Sequence, residues 1–480
     1  MNCGKKALSL LLTLSLCLTF LCIPAMAAGA MVTTATDLQA ALNRGGNIIL
    51  GSDIGVEKTL TVAANSNLDL NGYKLSIVTR NNSAIQINIG QTLTIADNKY
   101  VSNSNPGNGK LYANGYRAGI QTSGATLIIE GGVVEAKGQW ATGIGGIDRT
   151  GYSDGGTVII NDGTVSATGG CPGTLGGAGI GGMGAYPRAS GNGGTITING
   201  GIITATGGTY GAGIGGGGVA SVANGGSGGT ITINGGTVKA VAGARAYAIG
   251  GGSGSTGGGS LKATGGIIEF SNSGTDVSAP IFQNCTIKGD SAGEFKGTYN
   301  SEGKRISLNG ASTWAQADIE SAVRESLVPS TLLSDYTQPI TRAEFCALGV
   351  ALYETTTGKE ITERKTFSDT SDINVQKMGA LGIVNGVGNE RFEPSGTLTR
   401  EAAATILARL ALAAGKPLPE QSTTFADKGK ISSWAIKEVG QVQAAGIMNG
   451  IGENQFVPTG QYTREQSIIT ILRLFNVAKQ

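Results

Sequence analysis

Three stretches of this chain repeat one another closely: TVIINDGTVSATGG from Thr157, TITINGGIITATGG from Thr195 and TITINGGTVKAVAG from Thr230. A related copy begins at Thr126 and a degenerate one at Ser260, so successive copies start 31, 38, 35 and 30 residues apart. Self-similarity at a period of this size is typical of solenoids, in which each repeat forms one structural unit stacked on the next.

The strand segments of each copy alternate strictly between polar and apolar residues, as in Thr195, Ile196, Thr197 and Ile198. Such alternation gives a strand one apolar and one polar face. Glycine pairs follow these segments and supply the positive φ of tight turns, which glycine alone adopts at little cost. We therefore predict an all-β parallel β-helix over residues 28–310, with three short strands and three turns in each coil.

Polar residues recur at one turn of the successive copies: Glu130, Asn161, Asn199, Asn234 and Thr264. Stacking brings equal positions of neighbouring coils together, so we expect the three asparagines to form a hydrogen-bonded ladder with Glu130 and Thr264 at its ends.

The segment TDLQAALNRGG, which starts at Thr36, places Leu38, Ala41 and Leu42 on one helical face. This face predicts a short amphipathic helix that covers the first coil and protects the edge of the sheets. The opening resembles that of many right-handed parallel β-helix proteins of the pectin-lyase-like kind.

Residues 1–27 have the pattern of a secretory signal peptide. Lys5 and Lys6 precede the apolar stretch Ala7–Cys22, and Ala25-Met26-Ala27 is an A-x-A cleavage site. A retained membrane anchor is the alternative, but the run is short and ends in small residues. We expect secretion, a mature chain that starts near Ala28, and no membrane association after signal removal.

Composition excludes several classes of function. The chain of 480 residues has a net charge of only +2, which predicts no nucleic-acid partner, and no histidine, which removes imidazole-based catalytic and metal sites. Cys171, Cys285 and Cys346 follow the signal at irregular spacing, so we expect buried thiols and neither disulfides nor metal ligation. We expect no cofactor.

Acidic residues are absent between Gly163 and Ile268, although glycoside hydrolysis requires paired carboxylates. We therefore expect no catalytic residues and no enzymatic activity. A polysaccharide lyase or hydrolase confined to the first coils, near Asp148, Arg149 and Asp154, is the alternative.

Variable inserts separate the GIGG-type sequences from the next strands and occur at one phase of the coil. They form either solvated loops or a glycan-contacting strip in which tyrosine rings stack on sugars. The candidate residues for the strip are Arg149, Tyr152, Tyr186 and Arg188.

The last third of the chain contains three Thr-Arg pairs, each followed by an apolar pattern of helical period. Thr341, Thr399 and Thr463 are predicted helix N-caps. The arginine that follows each threonine opposes the helix dipole, which suggests an anion site made of its guanidinium and the free N–H groups of the helix start. Pairing of the arginine with an adjacent glutamate or a neighbouring repeat's aspartate is the alternative.

These segments resemble S-layer homology repeats, whose pattern is F-x-D, a helix often opened by Trp, G-I-x-x-G, F-x-P, and T-R-A-E with a second helix. The third copy matches almost throughout, from Phe425 through Trp434 to Thr463. The second copy matches from Phe367 without a tryptophan, and the first keeps Trp314 and the T-R-A-E sequence. The motif is therefore most complete in the third copy.

The resemblance implies an all-α pseudo-threefold domain made of residues 311–366, 367–424 and 425–480. It implies binding of anionic, often pyruvylated, secondary cell-wall polysaccharide in grooves between repeats, on the surface of a bacterium of Gram-positive type. The residues that it assigns to the polymer grooves are Trp314, Arg342, Asp369, Arg400, Asp427, Trp434 and Arg464.

We therefore expect a surface protein anchored non-covalently by the helical region. The β-helix that it displays is either structural or binds an extracellular glycan. A wall-anchored polysaccharide lyase or hydrolase and a true S-layer lattice subunit are the other hypotheses.

Overall fold

A computed structural model of the chain describes residues 29–99, 109–147, 153–170, 173–185, 189–220, 224–255 and 257–479. The predicted signal segment, Cys171 and Asp148 lie outside these ranges. Two regions follow one another, a β-helix and a helical region, as the sequence predicts.

Three sheets form the walls of the β-helix, and almost every strand pairing within them is parallel. Among the described residues, sheet A has the strands Ala30–Val32, Gly46–Leu50, Ser66–Asp69, Thr92–Ala96, Thr126–Ile129, Thr157–Ile160, Thr195–Ile198, Thr230–Ile233, Ser260–Ala263 and Ile281–Phe282. Sheet B has Ile54–Val56, Lys74–Val78, Lys110–Gly115, Val133–Gly138, Thr164–Thr168, Ile202–Thr206, Thr237–Val241, Ile267–Ser271, Cys285–Lys288 and Gly297–Tyr299. Sheet C has Leu60–Val62, Ile85–Ile87, Ile120–Gln121, Ile144–Gly145, Ile180–Gly181, Ile214–Gly215 and Ile249–Gly250, and Leu175–Gly176 pairs with Gly218–Val219 outside the three sheets.

The repeated sequences are in register in the structure. Thr157 pairs with Thr195, and Thr195 with Thr230, so equal positions of successive copies are neighbours in sheet A. Every second residue faces inward, and residues such as Ile196 and Ile198 are fully buried between the sheets. The period-2 pattern therefore builds one continuous apolar core along the solenoid, which confirms the predicted parallel β-helix.

The predicted ladder is present on the outside of the turn between sheets A and B. Asn161 Nδ2 donates to Glu130 Oε2 at 2.9 Å, Asn199 Nδ2 to Asn161 Oδ1 at 2.7 Å, and Asn234 Nδ2 to Asn199 Oδ1 at 2.8 Å. Thr264 Oγ1 closes the series on Asn234 Oδ1 at 2.8 Å. Each amide both donates and accepts, so the turns of successive coils are joined by side chains as well as by backbone.

The GIGG-type sequences form sheet C, where successive coils approach most closely. Gly145, Gly181, Gly215 and Gly250 stack at one position, with φ between 137° and 143°. A Cβ on Gly181 would overlap the carbonyl oxygen of Gly215 in the next coil. Only glycine fits here, because a side chain is excluded both by the backbone conformation and by the neighbouring coil.

Helix α1, Ala35–Arg44, caps the first coil as predicted. Thr34 is its N-cap and accepts a hydrogen bond from Asp37 N at 3.1 Å, and Gly45 ends it with φ of 79°. The predicted face is buried: Leu38, Ala41 and Leu42 are at most 2% exposed.

The helical region contains six further α-helices within the described residues. They are α2 Gln316–Arg324, α3 Arg342–Thr357, α4 Ile373–Ala380, α5 Arg400–Ala413, α6 Ile436–Ala444 and α7 Arg464–Lys479. Short 3₁₀ turns lie at Gly293–Phe295, Ser330–Leu332 and Lys428–Lys430. None of the helices in the described part of the chain is long and apolar enough to cross a membrane.

The long helices α3, α5 and α7 start around a ring of three backbone hydrogen bonds. Ile340 N donates to Tyr462 O at 2.8 Å, Tyr462 N to Leu398 O at 3.2 Å, and Leu398 N to Ile340 O at 3.1 Å. Each repeat donates once and accepts once, so the ring closes with pseudo-threefold symmetry. The apolar faces of the three helices pack into one shared core.

The helical region contacts the end of the β-helix directly. Arg324 of α2 donates from Nη1 to Thr286 Oγ1 in the last coil at 2.9 Å. Tyr336, which is fully buried, donates from its hydroxyl to Ser307 O at 2.9 Å, and burial raises its pKa to about 12. These bonds fix the orientation of the end of the solenoid against the helical region.

Cys285 and Cys346 are buried free thiols, as expected from their spacing. Burial raises the pKa of both to about 12, so neither is a reactive thiolate at neutral pH.

Replacing a stacked glycine should damage the solenoid selectively. We expect Gly181→Ala to lower the free energy of unfolding by about 3 kcal/mol or more, because the methyl group overlaps the next coil. Gly55→Ala is the control, since a Cβ there meets open space at ordinary φ, and it should change stability by less than about 0.5 kcal/mol. Denaturant titration followed by circular dichroism measures both, and equal stabilities of the two variants would contradict the close-packing argument.

Candidate functional site

The helices that follow the Thr-Arg pairs begin where the sequence predicts. Each threonine hydroxyl accepts a hydrogen bond from the third backbone N–H of its helix, at 3.2 to 3.3 Å, at Thr341, Thr399 and Thr463. Glu344 returns a bond by accepting from Thr341 N at 2.9 Å, and Gln466 accepts from Thr463 N at 3.3 Å. The three threonines are thus the N-caps of α3, α5 and α7, and Thr341 and Thr463 also form capping boxes with Glu344 and Gln466.

The first backbone N–H groups of these helices are not free to bind an anion. Arg342 N donates to Gly396 O at 2.8 Å, and Ala343 N donates to Pro394 O at 3.0 Å. The same pair of bonds recurs at the starts of α5 and α7. The prediction of an anion site built on free N–H groups is therefore wrong, because a loop of another repeat lies against each helix start and accepts from these donors. This loop carries the F-x-P sequence at the starts of α3 and α5, and its counterpart at the start of α7 is Ser334-Asp335-Tyr336.

Two of the predicted arginines join one repeat to the next. Arg342 donates from Nε to Phe392 O at 2.9 Å and from Nη2 to Asn385 O at 3.0 Å. Arg400 makes the corresponding bonds one repeat later, at 2.7 and 2.8 Å. Each guanidinium lies over a phenylalanine ring, 4.4 and 5.0 Å from its centroid, and burial lowers the pKa of both. Their positions are therefore fixed by the protein before any ligand arrives.

The predicted aspartates accept hydrogen bonds from backbone N–H groups of the same loops to which these arginines donate. Asp427 accepts from Phe456 N at 2.7 Å and from Val457 N at 2.8 Å, and Asp369 makes the same bonds at 2.7 and 2.9 Å. Val457 has φ of 57°, which is costly for a β-branched residue, so the bond to its N–H holds a strained turn. Burial opposes ionisation of Asp427, but the two N–H donors keep its pKa below the ordinary value.

Arg464 is arranged differently from the other two. Its Nη2 lies 2.5 Å from Glu344 Oε1, and its Nη1 lies 3.5 Å from Asp335 Oδ2 and 3.2 Å from Ser334 O. Burial raises the pKa of Glu344, but Arg464 and the bond from Thr341 N lower it to a net value below the ordinary one. Arg464 belongs to the repeat with the most complete motif, but it contacts the loop of the divergent first repeat. The carboxylates of Glu344 and Asp335 compensate the charge of Arg464.

A groove of about 310 Å³ opens at the junction where Arg400 meets the third repeat. Trp314 of the first repeat closes one side of it, and this ring is 59% exposed. Arg473 of α7 also lines the groove and donates from Nη1 to Ile447 O at 3.3 Å. The other lining residues are Met448, Asn449, Gly450, Ile451, Tyr462, Gln466, Ile469 and Thr470.

The pseudo-threefold symmetry gives each of these groove residues a counterpart at the junction of Arg342, between the first and second repeats. Trp434 takes the place of Trp314 by motif and is 54% exposed, and Arg409 takes the place of Arg473, donating to Ile383 O at 3.5 Å. Arg409 and Arg473 were not predicted as site residues. Their signal was an arginine nine residues after the arginine of the Thr-Arg pair, in both α5 and α7, where the first repeat has Ala351.

The predicted glycan strip belongs to the inserts of the β-helix and not to the helical region. Arg149, Tyr152, Tyr186 and Arg188 lie outside the described residues, so the strip stays a prediction.

Comparison with known proteins identifies the helical region. Residues 367–404 and 424–466 match the S-layer homology domain, which covers the second and third repeats. The C-terminal region of this chain therefore contains S-layer homology repeats, and a parallel β-helix precedes them.

Several proteins of known function share partial similarity with the chain. An amylopullulanase of Thermoanaerobacterium thermosulfurigenes is 30% identical over 34% of this chain and 9% of its own length. The exoglucanase XynX of Acetivibrio thermocellus is 29% identical over 42% of this chain and 18% of its own length. A surface layer protein of Brevibacillus choshinensis is 31% identical over 21% of this chain and 9% of its own length. The chain thus spans less than a fifth of each of these relatives.

The buried aspartate gives a test of the loop architecture. Asp427→Asn removes a charged acceptor of two N–H bonds and should lower the stability of the helical region by about 1–3 kcal/mol. Because the folded-state pKa is below the ordinary value of 3.8, the unfolded chain binds the proton more readily, and the wild-type advantage should disappear as the pH falls below about 4. Denaturant unfolding at several pH values measures this difference.

Asp335→Asn is the matched control, since Asp335 is 68% exposed and its left-handed φ of 50° suits asparagine. It should change stability by less than about 0.5 kcal/mol. A pH-independent difference between Asp427→Asn and the wild type would contradict the assigned role of the carboxylate.

Proposed function

We propose that this chain, whose C-terminal third is made of S-layer homology repeats, is held non-covalently on a cell wall by an anionic wall polysaccharide bound in two of its three inter-repeat grooves. The observation that carries the proposal is the groove that combines Trp314, Arg400 and Arg473. An exposed indole face offers stacking area to a sugar ring, and two guanidinium groups attract carboxylate substituents.

The geometry supports unequal grooves. The junctions of Arg342 and Arg400 each combine a motif tryptophan with a second arginine, whereas Arg464 is paired with Glu344 and Asp335. An acidic polymer entering the third junction would meet these two carboxylates. We therefore assign polymer binding to the junctions of Arg342 and Arg400. The junction of Arg464 closes the ring of repeats and has a structural role.

The finer features of the proposal follow the family resemblance. The polymer is a secondary cell-wall polysaccharide bearing pyruvyl or comparable acidic groups, on the exterior of a bacterium with a Gram-positive type of wall. The solenoid is a displayed, non-catalytic module. Similarity to glycoside hydrolases covers at most 18% of those enzymes, so their activities are not assigned to this chain.

Co-sedimentation of the full secreted chain with purified wall fragments tests the anchoring. We expect the double variant Trp314→Ala, Trp434→Ala to bind about tenfold or more weakly, because each groove loses its stacking face. Ile373→Ala is the control, since Ile373 is 53% exposed at the start of α4, the helix without a motif tryptophan. Its binding should equal that of the wild type.

The polymer itself is tested by chemical extraction. Walls stripped of their acidic polysaccharide should no longer retain the wild-type chain, and walls stripped only of pyruvyl groups should retain it less well. Undiminished binding to fully stripped walls would overturn the proposed mechanism.

A further inference from the structure

The turns that lead from sheet B to sheet C lie above one another and form an edge of the solenoid. In the first four coils this edge, called here the BC corner, comprises residues 57–59, 79–84, 116–119 and 139–143, all of which are described. Trp140 N donates to Tyr116 O at 2.9 Å, and Arg117 N donates to Asn82 O at 3.3 Å, so successive turns are hydrogen-bonded in register. Coils of parallel strands are spaced by about 4.8 Å, which is comparable to the length of one sugar unit of an extended glycan.

An aromatic pair lies on this corner without contributing to the core. Trp140 is 49% exposed, and its ring lies 5.7 Å from the half-buried ring of Tyr116 at an angle of 30°. The chain has three tryptophans, and the other two are the groove residues of the helical region. In these first coils the interior is filled by aliphatic side chains, and Trp140 is not among the buried residues, so burial does not account for an indole at this turn.

Cationic and amide side chains continue the same edge in the first two coils. They line a depression of about 550 Å³ that contains Lys58, Arg80, Asn81 and Asn82, with Glu57 as its acidic residue. Lys58 and Arg80 are exposed, and neither forms an ion pair with any described residue. Free cations beside amide groups favour a ligand that carries both negative charges and hydroxyl groups.

The adjoining outer face of sheet B is also positive. Lys110 and Lys137 both contact Glu135, at 2.9 Å each, so the cluster of three has one uncompensated positive charge. These lysines lower the pKa of Glu135 through hydrogen bonds and charge, and the carboxylate stays ionised between them. The surface next to the aromatic pair therefore attracts anions.

We propose that the BC corner of the first four coils binds an acidic polysaccharide, with the polymer chain parallel to the solenoid axis. Carboxylate groups of the polymer pair with Lys58 and Arg80, and a sugar face stacks on Trp140 beside Tyr116. This site is remote from the helical grooves and supplies the displayed solenoid with a ligand of its own. It is also distinct from the strip predicted on the inserts.

Polygalacturonate and its fully methyl-esterified form are the probes, because they share one backbone and differ in charge. Binding of the full secreted chain is measured by isothermal titration at low and high salt. We expect Trp140→Ala and Arg80→Gln each to weaken binding of polygalacturonate about five- to tenfold, with a smaller salt dependence for Arg80→Gln. The methyl ester should bind more weakly to the wild type.

Matched controls separate this site from general effects and from the anchoring grooves. Tyr73→Ala removes an aromatic that is 37% exposed at another turn, between sheets A and B, and Lys262→Gln removes an exposed cation on sheet A. Both should bind as the wild type does. Loss of binding in Trp314→Ala with no change in Trp140→Ala would assign the polymer to the helical grooves and overturn the inference.

Single-stranded DNA also combines negative charge with stacking rings, and it is the competing ligand in the test. Equal affinity for polygalacturonate and for a single-stranded oligonucleotide of matched charge would overturn the saccharide assignment. Preference for polygalacturonate, lost with Trp140 and retained in the controls, would support it, even if the wall-sedimentation result were negative.

Discussion

Backbone groups that one repeat leaves unpaired are satisfied by the next repeat, and both halves of this protein depend on that interaction. In the solenoid, each strand donates to and accepts from the coils on either side. In the helical region, the ring of Ile340, Leu398 and Tyr462 does the same around a closed circle. A buried unpaired N–H or carbonyl group is costly, so no repeat of either half is expected to be stable alone.

The ring of three repeats is closed, and this explains why the junction of Arg464 differs from the junctions of Arg342 and Arg400. A solenoid can end at a cap, such as α1, but a ring forces the last repeat to contact the first. Here the first repeat has Ser334 where the others have Phe392 and Phe456, so Arg464 lacks a ring to lie on. It pairs instead with carboxylates, and one junction is closed by an ion pair while two keep arginines that rest on carbonyl groups and aromatic rings.

Arg342 and Arg400 have a structural role in addition to the ligand-binding role proposed for their junctions. In Arg342 and Arg400, Nε and Nη2 hold the neighbouring loop. This fixed attachment is what gives the junction a defined shape, with a tryptophan and a second arginine around it. Because Arg324 and Tyr336 bond the helical region to the end of the solenoid, a chain anchored at these junctions presents its solenoid in a defined direction.

Much of the architecture was predictable from local sequence. Period-2 alternation, glycine pairs and the recurring asparagines specified the coils and the ladder, and the Thr-Arg pairs followed by a helical apolar pattern specified the helix starts, because each depends on residues close in the chain. The site was less predictable. The helix starts resembled open anion sites until packing placed Gly396 and Pro394 against their donors. Arg409 and Arg473 looked like ordinary helical residues.

The sequence by itself determined which residues repeat, and therefore that equal positions would stack and which helices would share a core. Only the tertiary structure decided which repeat each arginine meets, since that partner lies 43 to 130 residues away and depends on the direction of the ring. The same holds for the BC corner, where Arg80, Tyr116 and Trp140 have no common motif. They share one edge because the coils differ in length but not in the order of their turns.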